Sequence, residues 1–336
     1  MRAVHTPGKM RLSSAFTLLE VLVSCAVLTM LLMMLASVTR HAGDLWTSGS
    51  ARVEAFQGAR AGFENMTRLL SQATLNTYWD YDNPNNPTRY IRKSELHFLV
   101  DDAAVILGGN NYYGQAVFFQ APGNFNASTT TGTTSGGVRD SLTGLLNACG
   151  FFVEYSSDAG RGWLPSGLDV QPKERYRLMM WLQPSQELSI YSDGTNSRAW
   201  LDRASQEAVP VADNIIVLAV WPKEPDRQAV RTLPDQYHYD SREGAASVPQ
   251  PPNANQLPPL VQVAMVAIDE ASALRLGDRL KSTIDGCLAG LFEANPSTRF
   301  ESDLQKLEEN LARERINYRV FTSVIPLKEA KWSPNQ

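Results

Sequence analysis

The stretch FTLLEVLVSCAVLTMLLMMLASV, Phe16 to Val38, holds 23 residues with a single charge, Glu20, and neither Gly nor Pro. At 1.5 Å per residue it makes a helix of about 35 Å, enough to cross a hydrocarbon core of about 30 Å. Arg2, Lys9 and Arg11 precede it with no acidic residue, which holds the leader in the cytoplasm and exports whatever follows Val38. Three readings compete for this segment. A secretory signal has an apolar core of about 7–15 residues with a small-x-small cleavage site after it; this run is longer, and no Ala-x-Ala follows. A plain signal anchor accounts for the length and the basic leader, yet leaves Glu20 without a purpose. A carboxylate at mid-membrane costs about 2.5–3.5 kcal/mol, so the third reading gives Glu20 a partner.

The leader ends in a small residue, and Ala15-Phe16-Thr17-Leu18-Leu19-Glu20 follows. This stretch resembles the type IV prepilin signature, with Ala15 where that family usually has Gly. The resemblance implies that a prepilin peptidase cuts between Ala15 and Phe16 and that the new amino group of Phe16 is methylated. It also implies that the Phe16 ammonium of one subunit neutralises Glu20 of its neighbour, so that two costly buried charges set the register of a staggered assembly. A Glu20 that merely snorkels to the membrane edge is the plainer alternative.

Working outward, no Pro occurs between Gly8 and Pro84, so nothing forbids the helix from continuing. Val53, Phe56, Ala59, Phe63, Met66, Leu70 and Ala73 recur at spacings of three and four, one apolar stripe packed on something by one side. The spacing predicts a long helix over 16–78, transmembrane at 16–38, with bends at Gly43, Gly49, Gly58 and Gly62.

Beyond Tyr78 the pattern becomes short apolar or alternating runs. Strands are predicted at 95–100, 115–120, 150–155, 176–182, 188–191, 214–221, 262–268 and 317–325. Helices are predicted from Asp269 to Lys281, with acids in the first turn, and from Ser297, with the capping box Thr298-x-x-Glu301. Two insertions, 122–137 and the Pro-rich 222–259, are too polar to bury a core and are expected as loops, the second mobile. The expected class is therefore α+β: a pilin-like long N-terminal helix on a mostly antiparallel sheet, with 79–336 as one exported domain and 1–15 as a removable leader. The arrangement of Val211 to Leu218, a long loop, and Leu257 to Val263 is similar to that of the J-type minor pseudopilins of type II secretion. RYRLMMWLQPSQELSIY from Arg175, PPLVQVAMVAIDEASA from Pro258 and INYRVFTSVIPLKEAKWS from Ile316 resemble the family called Verru_Chthon cassette protein C. These resemblances imply a structural subunit of a secretion or pilus-like filament. Its partners would be prepilin peptidase, other pseudopilins and the inner membrane, with the domain in the periplasm.

Composition limits the remaining chemistry. The 336 residues carry 31 Lys and Arg against 35 Asp and Glu, net −4, with no basic excess of the kind nucleic acid demands. Removing residues 1–15 takes away three bases and no acid, which leaves the mature chain at −7. The four His fall in no H-E-x-x-H, and G-x-S-x-G, Walker A and G-x-G-x-x-G patterns are missing; no catalytic residue is assigned and a non-enzyme is expected. His97 is read as a strand residue facing water or making a structural hydrogen bond. Calcium is the one cofactor considered. Asp80, Asp82, Asn83 and Asn85 have the spacing of a calcium loop, but the stretch lacks the Gly and closing Glu of an EF-hand, and Asn-Pro-rich runs usually form turns. Cys149 and Cys287, both exported, have two readings: a disulfide closing a loop of about 138 residues, stabilising by roughly 4–5 kcal/mol, or two buried thiols. The runner-up function is a signal-anchored binding protein that never assembles, its loops serving a surface or polysaccharide ligand.

Overall fold

The computed structural model describes residues 18–123, 144–157, 173–192, 198–225, 233–247 and 249–332. The chain divides into two units, 1–53 and 54–336. The first holds nearly all of α1 (Leu18–Ala55). Within α1, Val21–Thr39 is long and apolar enough to cross a membrane. Its hydroxyls turn back onto the helix: Thr29 donates to the Ala26 carbonyl at 2.9 Å, Ser37 to Met34 at 2.9 Å and Thr39 to Leu35 at 2.8 Å. Polar side chains satisfied within their own helix are what hydrocarbon requires.

The second unit begins with α2 (Gln57–Leu70), which buries Ala59, Gly62, Phe63, Met66, Leu69 and Leu70. The predicted continuous helix is thus corrected at two points. It breaks at Phe56 (φ −107°, ψ 1°), just before Gly58, and it ends at Leu70 instead of 78. From Ala73 the burial alternates, with Ala73 and Leu75 inside, and Thr74 N donates to the Gln120 carbonyl at 2.9 Å. Period-two burial beside a strand takes over from the helix there.

The strands follow in order: β1 (Tyr78–Tyr81), β2 (Tyr90–Lys93) and β3 (Leu99–Asp102), a short α3 (Ala103–Leu107), then β4 (Tyr112–Gly123), β5 (Leu145–Ser157) and β6 (Glu174–Gln183). After α4 (Ala204–Glu207) come β7 (Val209–Asp213), β8 (Ile215–Lys223), β9 (Tyr239–Asp240) and β10 (Leu260–Ile268). Helices α5 (Glu270–Leu276), α6 (Leu280–Leu288) and α7 (Pro296–Arg313) precede the last strand, β11 (Tyr318–Pro326). β1 and β2 form a separate hairpin; the other strands make one sheet in the order β11-β10-β8-β4-β5-β6-β7, with β3 and β9 branching from β4. Among the described residues every pairing is antiparallel except a single parallel bridge, Gly114 to Leu218, that joins β4 to β8.

The two ends of that strand order, β7 and β11, both contact α2, as does the central β4. The sheet therefore curls around α2. Gly62 lets the helix approach β7 so closely that a Cβ there would lie 3.1 Å from the Ala212 Cβ, and Phe63 meets Phe321 of β11 with ring centroids 5.8 Å apart. The class is α+β, with an N-terminal apolar helix and a curled, largely antiparallel sheet. Phe300, Leu304, Leu307 and Leu311 bury the predicted stripe of α7.

Several predicted elements change form. Residues 188–191 are no strand, since 190–192 form a 3-10 turn; Ser189 N donates to the Gln183 side chain at 3.1 Å, taking a side-chain partner where a ladder would need a neighbouring strand. The helix predicted over 269–281 is cut at Gly277, whose φ is +52°; Glu270 stands in its first turn as predicted, while Asp269 is its N-cap and accepts from Ser272 N at 2.9 Å. The capping box Thr298–Glu301 is not made. Glu301 instead accepts from Gln262 at 3.0 Å, and Asp235 supplies the carboxylate to Ser297 N at 2.9 Å.

That Asp235 belongs to the insertion expected as a mobile loop, and the described parts of 222–259 correct this expectation. Tyr237, Tyr239, Ala254 and Leu257 are buried there, and β9 pairs with β3. The amide side chains compensate for the missing hydrophobic mass: Gln250, Asn253, Asn255 and Gln256 each donate to a backbone carbonyl. The predicted loop 122–137 lies, from 124 onward, outside the described residues.

Candidate functional site

Three sets of residues carry candidate chemistry. The first is the N-terminal segment. Ala15 and Phe16 lie outside the described residues, and Glu20 stands in the first turn of α1. Past it the apolar span Val21–Thr39 has none of its residues buried.

The second is the predicted calcium segment. Here β1 and β2 pair from Tyr78 with Lys93 to Tyr81 with Tyr90, and 82–89 forms their connection. Asp82 accepts from Asn83 N at 2.9 Å, Thr88 N at 2.9 Å and Arg89 N at 3.3 Å, and from the Thr88 hydroxyl. The Thr88 hydroxyl and backbone bonds hold its carboxyl well below the ordinary range. Asn83 accepts from Asn85 N at 2.9 Å, an Asx turn, and Asp80 pairs with Lys93 Nζ at 2.7 Å. The four predicted ligands thus serve a hairpin turn and an ion pair. Among the described residues no group of three or more His, Cys, Asp or Glu gathers as a metal site.

Cys149 and Cys287 are free, buried thiols, the second of their two readings, and not a disulfide. Cys149 is enclosed in β5 between Phe119 and Leu182, where burial pushes its thiol up to about 12. Cys287 is buried on α6, and burial raises its thiol as well.

No family model, curated protein or solved structure matches the chain.

The third set was only partly visible in sequence. His97 is wholly buried. Its Nε2 lies 2.7 Å from Asp240 Oδ1, and its Nδ1 accepts from the Trp200 indole at 3.1 Å. An accepting Nδ1 fixes the neutral tautomer with the proton on Nε2, donated to Asp240. Burial lowers the His97 pKa in agreement. Burial alone would raise Asp240, but the bonds from His97 and from Arg242 N, with Arg198 nearby, outweigh it and bring the carboxyl to about 2. Arg198 also reaches Asp101 at 3.5 Å, and His238 bridges Asp101 and Glu243 at 3.1 Å each. This histidine–carboxylate pair spends both imidazole nitrogens on protein partners and is closed to solvent. It ties the Pro-rich insertion to the sheet. His97 lies ahead of β3, which begins at Leu99 where a strand was predicted from 95; of its two readings the strand residue facing water is corrected by its burial, and the structural hydrogen bond is the one it makes.

Beside it opens a cleft of about 720 Å³ between the β1–β2 hairpin, residues 190–191 and the segment 242–255. Tyr78, Lys93, Glu95, Tyr191, Arg242 and Asn255 line it. It is not visible in the sequence, because its walls come from segments up to about 180 residues apart, one of them expected as a loop and another as a strand.

Proposed function

We propose that this protein is a prepilin-like structural subunit, anchored by α1, processed between Ala15 and Phe16, and assembled as a minor pseudopilin in the inner membrane with its globular unit in the periplasm. The observation that carries this reading is the apolar span Val21–Thr39, free of charge and unburied, with Glu20 directly before it and an amphipathic helix, α2, held by a curled sheet after it. The bulk of the second unit and its long insertions suit the tip of a filament better than its tightly repeated shaft. Mass spectrometry of the mature N-terminus tests the proposal. N-methyl-Phe at position 16 is expected; an intact Met1 would mean that the chain is a signal-anchored binding protein instead. With the peptidase intact, Glu20→Ala is expected to be cleaved yet to enter filaments poorly.

A further inference from the structure

The cleft beside the β1–β2 hairpin has three properties that together define a ligand. It is pre-built. The hairpin is fixed by Arg92, whose N donates to Gln250 Oε1 at 2.8 Å, whose carbonyl accepts from Gln250 Nε2 at 2.8 Å, and whose guanidinium reaches the carbonyls of Ala254 and Pro251 at 3.2 and 3.1 Å. Thr77 Oγ1 adds a bond to the Asn255 carbonyl at 2.7 Å. Binding there does not have to order the walls first.

Its charges are balanced and already engaged. Lys93 is paired with Asp80 at 2.7 Å. Arg242 Nη2 donates to the Glu95 carbonyl at 2.7 Å. The Glu95 carboxylate accepts from Tyr78 at 3.0 Å, and Asp82 is filled by its own turn. Two cations and two anions on one lining leave no net field to select an ion, while ammonium, guanidinium, carboxylate and amide groups are all of kinds that hydrogen-bond to hydroxyls.

Its rim is aromatic and its floor apolar. Tyr191 is 60% exposed and Tyr78 42% exposed, from two different elements, over buried Ile91 and Ile190. Tyr78 is held in orientation by Glu95. A large exposed aromatic over a polar, neutral cleft fits a ligand with flat C–H faces and hydroxyl edges. The volume lies within the roughly 300–1,000 Å³ of small-ligand sites.

We infer that this cleft binds a neutral oligosaccharide, its rings laid on Tyr191 and Tyr78 and its hydroxyls on Lys93, Glu95, Arg242 and Asn255. The assignment does not rest on filament assembly. The full chain in lipid nanodiscs, free of sugar-headed detergent, is titrated calorimetrically with maltohexaose, cellohexaose and chitohexaose. At least one is expected to bind, with an affinity unchanged between about 50 and 500 mM salt and weakened about tenfold or more by Tyr191→Ala or Tyr78→Ala. Tyr90→Ala, outside the cleft lining, is expected to bind as wild type does. Absence of binding by all three sugars at about 10 mM overturns the inference. So does binding that Tyr191→Ala leaves unchanged, binding that collapses with salt, or binding of an extended neutral peptide alone.

Discussion

At the scale of single residues, the sheet depends on one glycine. Gly114 has φ +71° and sits at the lone parallel bridge, where an added Cβ would fall 2.2 Å from the Leu218 carbonyl oxygen. Gly114→Ala therefore combines left-handed strain with a backbone collision, and is expected to cost roughly 2–5 kcal/mol in chemical unfolding. His238 gives a pH dependence of known sign. The hydrogen bond to Asp101 raises its pKa in the folded state, against a smaller opposing effect of burial. Its contribution is complete below the unfolded histidine pKa of about 6.5 and fades as pH rises through the raised value. The stability advantage of wild type over His238→Gln should be greater at about pH 6 than at about pH 9; an equal advantage at both would show the bridge to be inert. His97 carries the opposite sign: held neutral by burial, it favours the fold above the ordinary pKa and not below it.

Among elements, α2 matters most, because it touches both margins of the sheet. Phe63 is 8% exposed and lies against Phe321, so Phe63→Ala is expected to lower unfolding stability by about 3 kcal/mol or more, with heat or urea unfolding as the check. The apolar stripe of α2 was legible from its spacing, and so were β4, β5, β6, β8, β10 and β11, whose runs are long and apolar enough to declare themselves. The hairpin β1–β2 was not recognised, although its signal was present. Aromatic runs flank a turn rich in Asn and Pro, and of the two carboxylates that suggested calcium Asp82 binds the turn's own amides while Asp80 pairs with Lys93. The capping box at Thr298 failed for a different reason. A local motif competed with Asp235, which comes from 62 residues away and which no local pattern can announce.

For the whole molecule, composition had averaged over two unlike parts: an apolar helix whose described span is unburied and a folded unit with a large buried core. The helix long and apolar enough to cross a membrane was readable because length and apolarity are properties of sequence itself. The cleft was not, because its walls meet only after the chain has closed long loops. The Pro-rich insertion misled for a related reason. Its polarity suggests solvent, yet its amides are spent on carbonyls and its tyrosines on the core, and neither fact is local.

The ties that seat this insertion have a kinetic meaning. His97 meets Asp240 across 143 residues, Arg92 meets Ala254 across 162, and Thr77 meets Asn255 across 178. Contacts so distant in sequence repay the entropy of loop closure only once much of the chain is in place, which slows folding. The wall they build therefore joins other pairings at least as distant, Phe63 with Phe321 among them, and the cleft exists only in a chain that has closed nearly its whole length.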